Sequence, residues 1–233
     1  MASVNRPGLM DNAKENMLMD TEVNYIQETT DKRMAYRFWK RFFDIVLSSM
    51  ALVAAMIIMI PVSIAIKLED GGPVFFYQDR NGLNGKVFRM YKLRTMCQNA
   101  QQMHFDMLDK NELDGPAFKM HDDPRITRVG KFLRRTSIDE LPQLINIIKG
   151  DMSIVGPRPL PTYETEKCNA YQMQRYLVKP GLTCYWQCMG RDTIPFDRWV
   201  ELDLKYIREA SLWTDIKIII KTIISVIVGD GAY

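Results

Sequence analysis

Two carboxylates stand side by side at Asp139 and Glu140, shortly after the paired arginines Arg134 and Arg135 and just before Leu141-Pro142. Acids beside arginines stay ionised, and an ionised carboxylate can bind a divalent cation or attack phosphorus to form an acyl phosphate. The same residues, Ser137-Ile138-Asp139-Glu140, also fit a capping box, in which Ser137 and Glu140 satisfy the free amides of a new helix. Pro142 separates the two readings. A helix running from Ser137 would lose an early backbone bond there, whereas one beginning about a turn later tolerates the proline and leaves both carboxylates on its entering turn. The sequence leaves both open.

Two further segments carry chemistry. In Ser153-Ile154-Val155-Gly156-Pro157-Arg158-Pro159 the glycine and prolines hold Arg158 in a stiff, non-helical frame, and a rigid guanidinium fork suits bidentate binding of phosphate. A rigid surface turn would look the same. After the Pro180-Gly181 turn come Trp186, Gln187 and Arg191, where an indole could stack on a base or sugar or simply be buried. Basic clusters at residues 32–41, 80–94 and 125–135 point to phosphates or lipid headgroups, or to solvated faces. The net charge of only +3 is mild, and nucleic acid is not among the expected partners. Cys97, Cys168, Cys184 and Cys188 form no Cys-x-x-Cys pair and have no histidine at metal-ligand spacing, which argues against zinc and for a reducing compartment.

These residues need a scaffold, and 233 residues that are 47% hydrophobic are enough for a core. From Ile45 to Ile66 the chain carries no charge and is long enough to cross the hydrocarbon of a bilayer. Basic residues flank it on both sides: Lys32, Arg33, Arg37, Lys40 and Arg41 before, Lys67, Arg80, Lys86, Arg89 and Lys92 after. The positive-inside rule is then satisfied on both sides by a re-entrant helix, with Pro61 as a kink and Ser63 serving freed backbone groups; a plain spanning helix is the competing reading. Asp215 to Val228 places Lys217, Lys221 and Ser225 on one stripe among Ile and Val, as in an amphipathic interfacial helix or a core helix. Residues around the turn Asn81 to Gly85 read as a β-hairpin. Helical patterns cover Gln98 to Asp109, the stretch after Asp139, Thr162 to Leu177 and Phe196 to Arg208. The expectation is a mainly α fold with a small β-hairpin. It comprises a mobile tail at 1–31, a basic flank and membrane-embedded helix at 32–68, and a catalytic domain with a C-terminal interfacial helix at 69–233.

The segments KRFFDIVLS, GPVFFYQDRNGLNGKVFRMYKLRTM, DPRITRVGKFLRRTSIDELPQL, GDMSIVGPRP, KPGLT and DIKIIIKTIISVIVGDGAY, in that order from about Phe38 onward, resemble the bacterial sugar transferase family, the monotopic phosphoglycosyl transferases. The resemblance implies transfer of a sugar 1-phosphate from a UDP-sugar to undecaprenyl phosphate with release of UMP, on the cytoplasmic face of the bacterial inner membrane, as the first membrane step of exopolysaccharide or capsule assembly. In that scheme Asp139 is the nucleophile that holds the phosphosugar, and Glu140 helps it position Mg2+ and the incoming phosphate. Arg158 with Pro157 contacts nucleotide or diphosphate, and Arg125, Arg134, Lys92 and Arg191 are further phosphate-binding candidates. The C-terminal LDLKYIREASLWTDIKIIIKT resembles members acting on hexose phosphates, so a glucose or galactose donor is expected, with an N-acetylated sugar as the alternative. A membrane-bound scaffold without turnover is the reading from another class, and a homodimer stays open. Where the family usually has Ser-Pro in its re-entrant helix this chain has Met56-Ile57, and Cys184 and Cys188 replace an expected glycine and aliphatic residue. The larger relatives' multi-span N-terminal region has no counterpart here, so a minimal catalytic form is expected.

Overall fold

The structure, a computed structural model, describes residues 33–228 apart from 108, 110, 113, 114, 119, 121 and 190–193; the expected tail and Arg191 lie outside the described residues. In chain order the helices are α1 (Met34–Asp70), α2 (Ala100–Phe105), α3 (Arg128–Thr136), α4 (Gln143–Lys149), α5 (Thr162–Thr165), α6 (Ala170–Met173), α7 (Phe196–Glu209) and α8 (Leu212–Val228). The strands are β1 (Phe75–Asn81), β2 (Val87–Leu93), β3 (Ser153–Val155) and β4 (Gly181–Thr183). The fold is mainly α with a small β-hairpin, as the sequence patterns imply. β1 and β2 pair antiparallel from Phe75↔Leu93 to Asn81↔Val87, around a turn in which Asn84 and Gly85 both take positive φ. A second, parallel pair, β3 with β4, was not legible, since its three-residue strands are too short to show a period.

The helix read over Thr162 to Leu177 is broken into α5, α6 and a 3-10 turn at Gln174–Leu177. The cause is Asn169: its side chain accepts from the amide of Gln172 while the Gln172 side chain accepts from the amide of Asn169. That reciprocal box starts a new helix where the periodicity alone continues the old one.

α1 is the largest element, 37 residues and about 55 Å at 1.5 Å per residue. It is long and apolar enough to cross a membrane by length and composition. It runs helical through Pro61, and Ser63 Oγ donates to the Met59 carbonyl at 2.6 Å. The carbonyl that Pro61 leaves unpaired is that of Ile57, so Ser63 does not serve it as the sequence reading expects. Both ends of α1 attach to the same domain. Near its start Arg33 donates to the carbonyls of Arg208 and Ala210, Lys40 pairs with Asp215 at 2.8 Å, and Asp44 accepts from the Ser153 hydroxyl and the Ile154 amide. At its end Asp70 holds Arg94, and Ile66 packs with Leu93 and Leu133. In between, Ala55 is sealed among Met90, Leu144, Ile147 and Met152. The outward side carries large apolar groups from Trp39 through Met50, Ile57 and Ile64 to Leu68, all at least 45% exposed. A stripe this long exceeds what a water-facing helix tolerates and fits association with a membrane.

The largest core cluster lies under α7 and α8 and includes Val155, Leu160, Trp186, Phe196, Trp199, Leu204 and Ile218. Trp186 stacks on Trp199 at 4.3 Å with an interplanar angle of 3°. It is therefore a core residue, and the alternative of stacking on a base is not met.

Candidate functional site

The dyad sits on a one-turn link between α3 and α4. Thr127 starts α3, its Oγ1 accepting from the Gly130 amide at 2.9 Å, and Glu69 at the end of α1 accepts from the amides of Arg128 and Val129. Gly130 has to be glycine, because a Cβ there would lie 2.0 Å from the Thr95 carbonyl oxygen. α3 stops at Ser137, whose φ of 58° is left-handed and turns the chain into a 3-10 turn at Ile138–Glu140. α4 then begins at Gln143, behind Pro142. Ser137 makes no capping bond, so the capping box does not form and the later-starting helix is the observed one. Both carboxylates are left on the entering turn.

The two acids differ sharply. Glu140 is gripped by cations: Lys92 donates to Oε1 at 3.1 Å, and Arg158 reaches both oxygens in fork geometry. Asp139 is only 6% exposed, yet among the described residues its carboxylate accepts no hydrogen bond, and Lys92 Nζ stands 3.8 Å from Oδ2. Burial raises the Asp139 pKa, with Lys92 opposing and the Glu140 charge adding to the rise. Burial acts on Glu140 in the same direction, but Arg158 and Lys92 together overcome it and hold the group well below the usual carboxylate range. One carboxylate is thus hydrogen-bonded by two cations and favoured in its ionised form, while its neighbour is buried with only a long ion pair to Lys92, so the two environments push the pKa values apart as in reactive carboxylate pairs.

Positive charge exceeds negative around the dyad. Arg134, held by Nε donation to Thr95 Oγ1 at 3.0 Å, and Lys92, Arg158 and Arg80 all act electrostatically on it. Arg80 also interacts with Glu164, and Arg134 with Asp123 and Arg125, so five cations face four carboxylates. The surplus suits a bound polyanion such as a diphosphate. Lys92 is placed by Asn146 of α4, which accepts from the Tyr91 amide at 3.0 Å and donates to the Arg89 carbonyl at 2.8 Å, behaving as one more strand beside β2.

Arg158 is aimed by its backbone. Four successive carbonyls are pinned: Pro157 accepts from the Gly181 amide, Arg158 from Arg175 Nη2 at 3.0 Å, Pro159 from Arg80 Nη1 and Leu160 from the Asn81 amide. Gly156 and Gly181 bring β3 against β4 so closely that a Cβ on either would strike the other chain segment within 2.4 Å. Arg175 is itself wholly buried and paired with Asp203 of α7, whose pKa is raised to about 6 by burial against the pull of Arg175.

Of the sequence-derived candidates, Asp139, Glu140, Lys92, Arg134 and Arg158 converge. Pro157 is buried behind Arg158 as frame, and Arg125 is committed to a bidentate pair with Asp123, its guanidinium 5.2 Å from the Phe118 ring centroid. Cys184 is buried and donates to Gln187 Oε1, its thiol pKa raised by burial, so it is a packing residue. Arg80, Arg175 and Asp203 were missed. Arg80 lies within the basic run at 80–94, which was signal enough to nominate it; Arg175 and Asp203 sit in amphipathic patterns where nothing marks them as partners. Burial and the neighbouring Arg158 charge lower the Arg80 pKa to about 10. Among the described residues no three His, Cys, Asp or Glu side chains gather as a metal cluster.

The chain is similar to a known family over most of its length. The model of the bacterial sugar transferase family matches residues 35–229. A galactosyl transferase CpsE of Streptococcus agalactiae serotype III is 50% identical over 194 residues, 83% of this chain and 43% of the relative. An undecaprenyl-phosphate galactose phosphotransferase of Salmonella typhimurium is 44% identical over 89% of this chain and 44% of its own length. The exopolysaccharide production protein ExoY of Sinorhizobium fredii is 38% identical over 89% of this chain and 93% of its own. The chain thus spans less than half the length of the first two relatives and nearly all of the third. With the matched region enclosing α1, the dyad turn and the Arg158 frame, the chain belongs to the bacterial sugar transferase family.

Proposed function

We propose that this protein transfers a hexose 1-phosphate, galactose 1-phosphate first among them, from a UDP-sugar to undecaprenyl phosphate at the membrane surface, through a phosphosugar carried on Asp139. The observation that carries the reading is the contrast within the dyad: a buried carboxylate without hydrogen-bond donors beside one locked by Lys92 and Arg158. A desolvated carboxylate that accepts no hydrogen bond is a better nucleophile than a solvated one. One Asp139 oxygen attacks the phosphorus bearing the sugar, a P–O bond to Asp139 forms, and the anhydride bond breaks with its electron pair leaving on UMP. A phosphate oxygen of the lipid then attacks the same phosphorus, and the Asp139 carboxylate leaves. One anhydride replaces another, so no external energy source is needed. Arg158, Arg134, Lys92 and Arg80 stabilise the charge on the equatorial oxygens in both steps.

The dyad also fits a magnesium ion. Mg2+ takes one or two carboxylates, keeps waters and completes its shell with phosphate oxygens, and the Asp139 oxygens are acceptors with no donor. Asp139 and Glu140 would hold it, and it would neutralise charge on the transferring phosphate. The names of the relatives support the donor and acceptor classes, two of them being galactosyl or galactose-phosphate transferases. Attachment of both ends of α1 to one domain supports a monotopic placement, with the catalytic domain on the cytoplasmic side where nucleotide sugars are made. The test is UMP release by the purified full chain in detergent with Mg2+, across a panel of UDP-sugars with and without undecaprenyl phosphate. Lipid-dependent release from UDP-galactose is expected. Release only from an N-acetylated donor would replace the sugar, and none from any donor would leave a non-catalytic scaffold.

A further inference from the structure

On the side of the domain formed by α7 and α8 lies a groove of about 770 Å³ that shares no residue with the dyad site. Its charge is uneven. Arg198 pairs with Glu201, and Lys205 stands 3.9 Å from Glu209, which also accepts from the Tyr185 hydroxyl. Arg208, Lys217 and Lys221 line the same groove with no carboxylate partner among the described residues. Three cations without a carboxylate partner along one concavity suit a phosphate group.

The source of that phosphate is indicated by what flanks it. Beside Lys217 and Lys221, α8 presents Trp213, Ile216, Ile220, Ile223 and Ile227 outward, all at least 45% exposed, at successive helical turns. A free anion gains nothing from such a stripe. A phospholipid does, its headgroup phosphate among the lysines and its acyl chains along the isoleucines, with Lys217 held 5.3 Å from the Trp213 ring centroid at the boundary. We propose that the α7–α8 groove is a binding site for the headgroup of an anionic phospholipid, distinct from the site of the lipid acceptor. It would tie the C-terminal helix to the membrane surface independently of α1.

The experiment is a titration of the detergent-solubilised full chain with dioctanoyl phosphatidylglycerol, read by thermal shift, against dioctanoyl phosphatidylcholine and glycerol 3-phosphate. Saturable stabilisation by phosphatidylglycerol alone is expected. The double variant Lys217→Gln/Lys221→Gln should weaken it about 25-fold, roughly fivefold per lysine held near an anionic headgroup. A control with the same loss of charge elsewhere, Lys131→Gln/Lys167→Gln on exposed positions, should bind as the parent does. Equal weakening in the control would reduce the effect to net charge and overturn the site. Equal stabilisation by phosphatidylcholine, or by glycerol 3-phosphate without acyl chains, would overturn an anionic lipid as the occupant. UMP release measured on the same variants keeps this question separate from the reaction, because neither lysine belongs to the dyad site.

Discussion

At the scale of single residues, Asp139 is buried, accepts no hydrogen bond among the described residues and has only a long ion pair with Lys92. Because its folded-state pKa is raised, the folded protein binds that proton more tightly than the unfolded chain does. The stability penalty is therefore absent at low pH, grows as pH rises from the unfolded to the folded pKa, and is fully present above. Asp139→Asn should abolish UMP release, by at least about a thousandfold as for other covalent nucleophiles, while raising stability at neutral pH by roughly 1 kcal/mol; paired activity and thermal-melt measurements check both. A protein that loses activity and stability together would speak for a structural aspartate. The raised pKa also places the acid limb of turnover above the ordinary aspartate range. Removing the neighbouring charge with Glu140→Gln lowers the Asp139 pKa and lets Lys92 shift from Glu140 towards Asp139, so the residual activity of that variant should keep its acid limb to a lower pH. A limb that moves upward would contradict the assigned coupling.

At the scale of elements, α1 braces the dyad turn from both sides. Glu69 caps the start of α3, and Arg41 donates to the carbonyls of Ile147 and Ile148 at 2.6 and 2.7 Å, closing the end of α4. These are the two helices whose junction carries Asp139 and Glu140. Glu69→Ala and Arg41→Met should each cost about 1 kcal/mol of stability, the usual worth of a helix cap, and reduce UMP release although neither touches substrate. Arg175→Lys keeps a buried charge opposite Asp203, but its shorter side chain stops short of the position from which Nη2 serves both Asp203 and the Arg158 carbonyl. A fall in kcat with the melting temperature within a few degrees is the expected result, and unaltered kinetics would detach Arg158 from that brace. The dyad, the Pro-Arg-Pro frame, the hairpin and α7 were legible because each is local, set by adjacent charges, prolines, a turn or a clear helical period. The break at Asn169, the β3–β4 pair and the Arg175–Asp203 link were not. The first is a side-chain cap inside an unbroken apolar pattern, and the other two are contacts between segments about 28 residues apart, which no local periodicity records. Trp186 was ambiguous for a similar reason, since its partner Trp199 lies on another element.

At the scale of the whole molecule, α1 lies along the domain with one face sealed against it and the other apolar and open. A helix crossing the bilayer would place its two ends on opposite sides, yet Lys40 and Asp70 are both tied to the same domain. Cysteines introduced at Ala35 and Asn99 in a cysteine-free background should therefore be shielded from a membrane-impermeant maleimide in intact cells and labelled together once the membrane is opened; labelling of one alone would establish a spanning α1. On the proposed reaction, a one-sided placement would let a soluble UDP-sugar and a lipid phosphate reach Asp139 in turn, as a covalent intermediate requires. The most direct test of that claim is the intact mass of the full chain after mixing with UDP-galactose and Mg2+ in the absence of undecaprenyl phosphate, followed by peptide mapping. The account predicts a gain equal to one hexose phosphate, located on Asp139, lost on addition of the lipid phosphate and absent from Asp139→Asn. Turnover of the donor with no adduct, or an adduct that persists in Asp139→Asn, would contradict it.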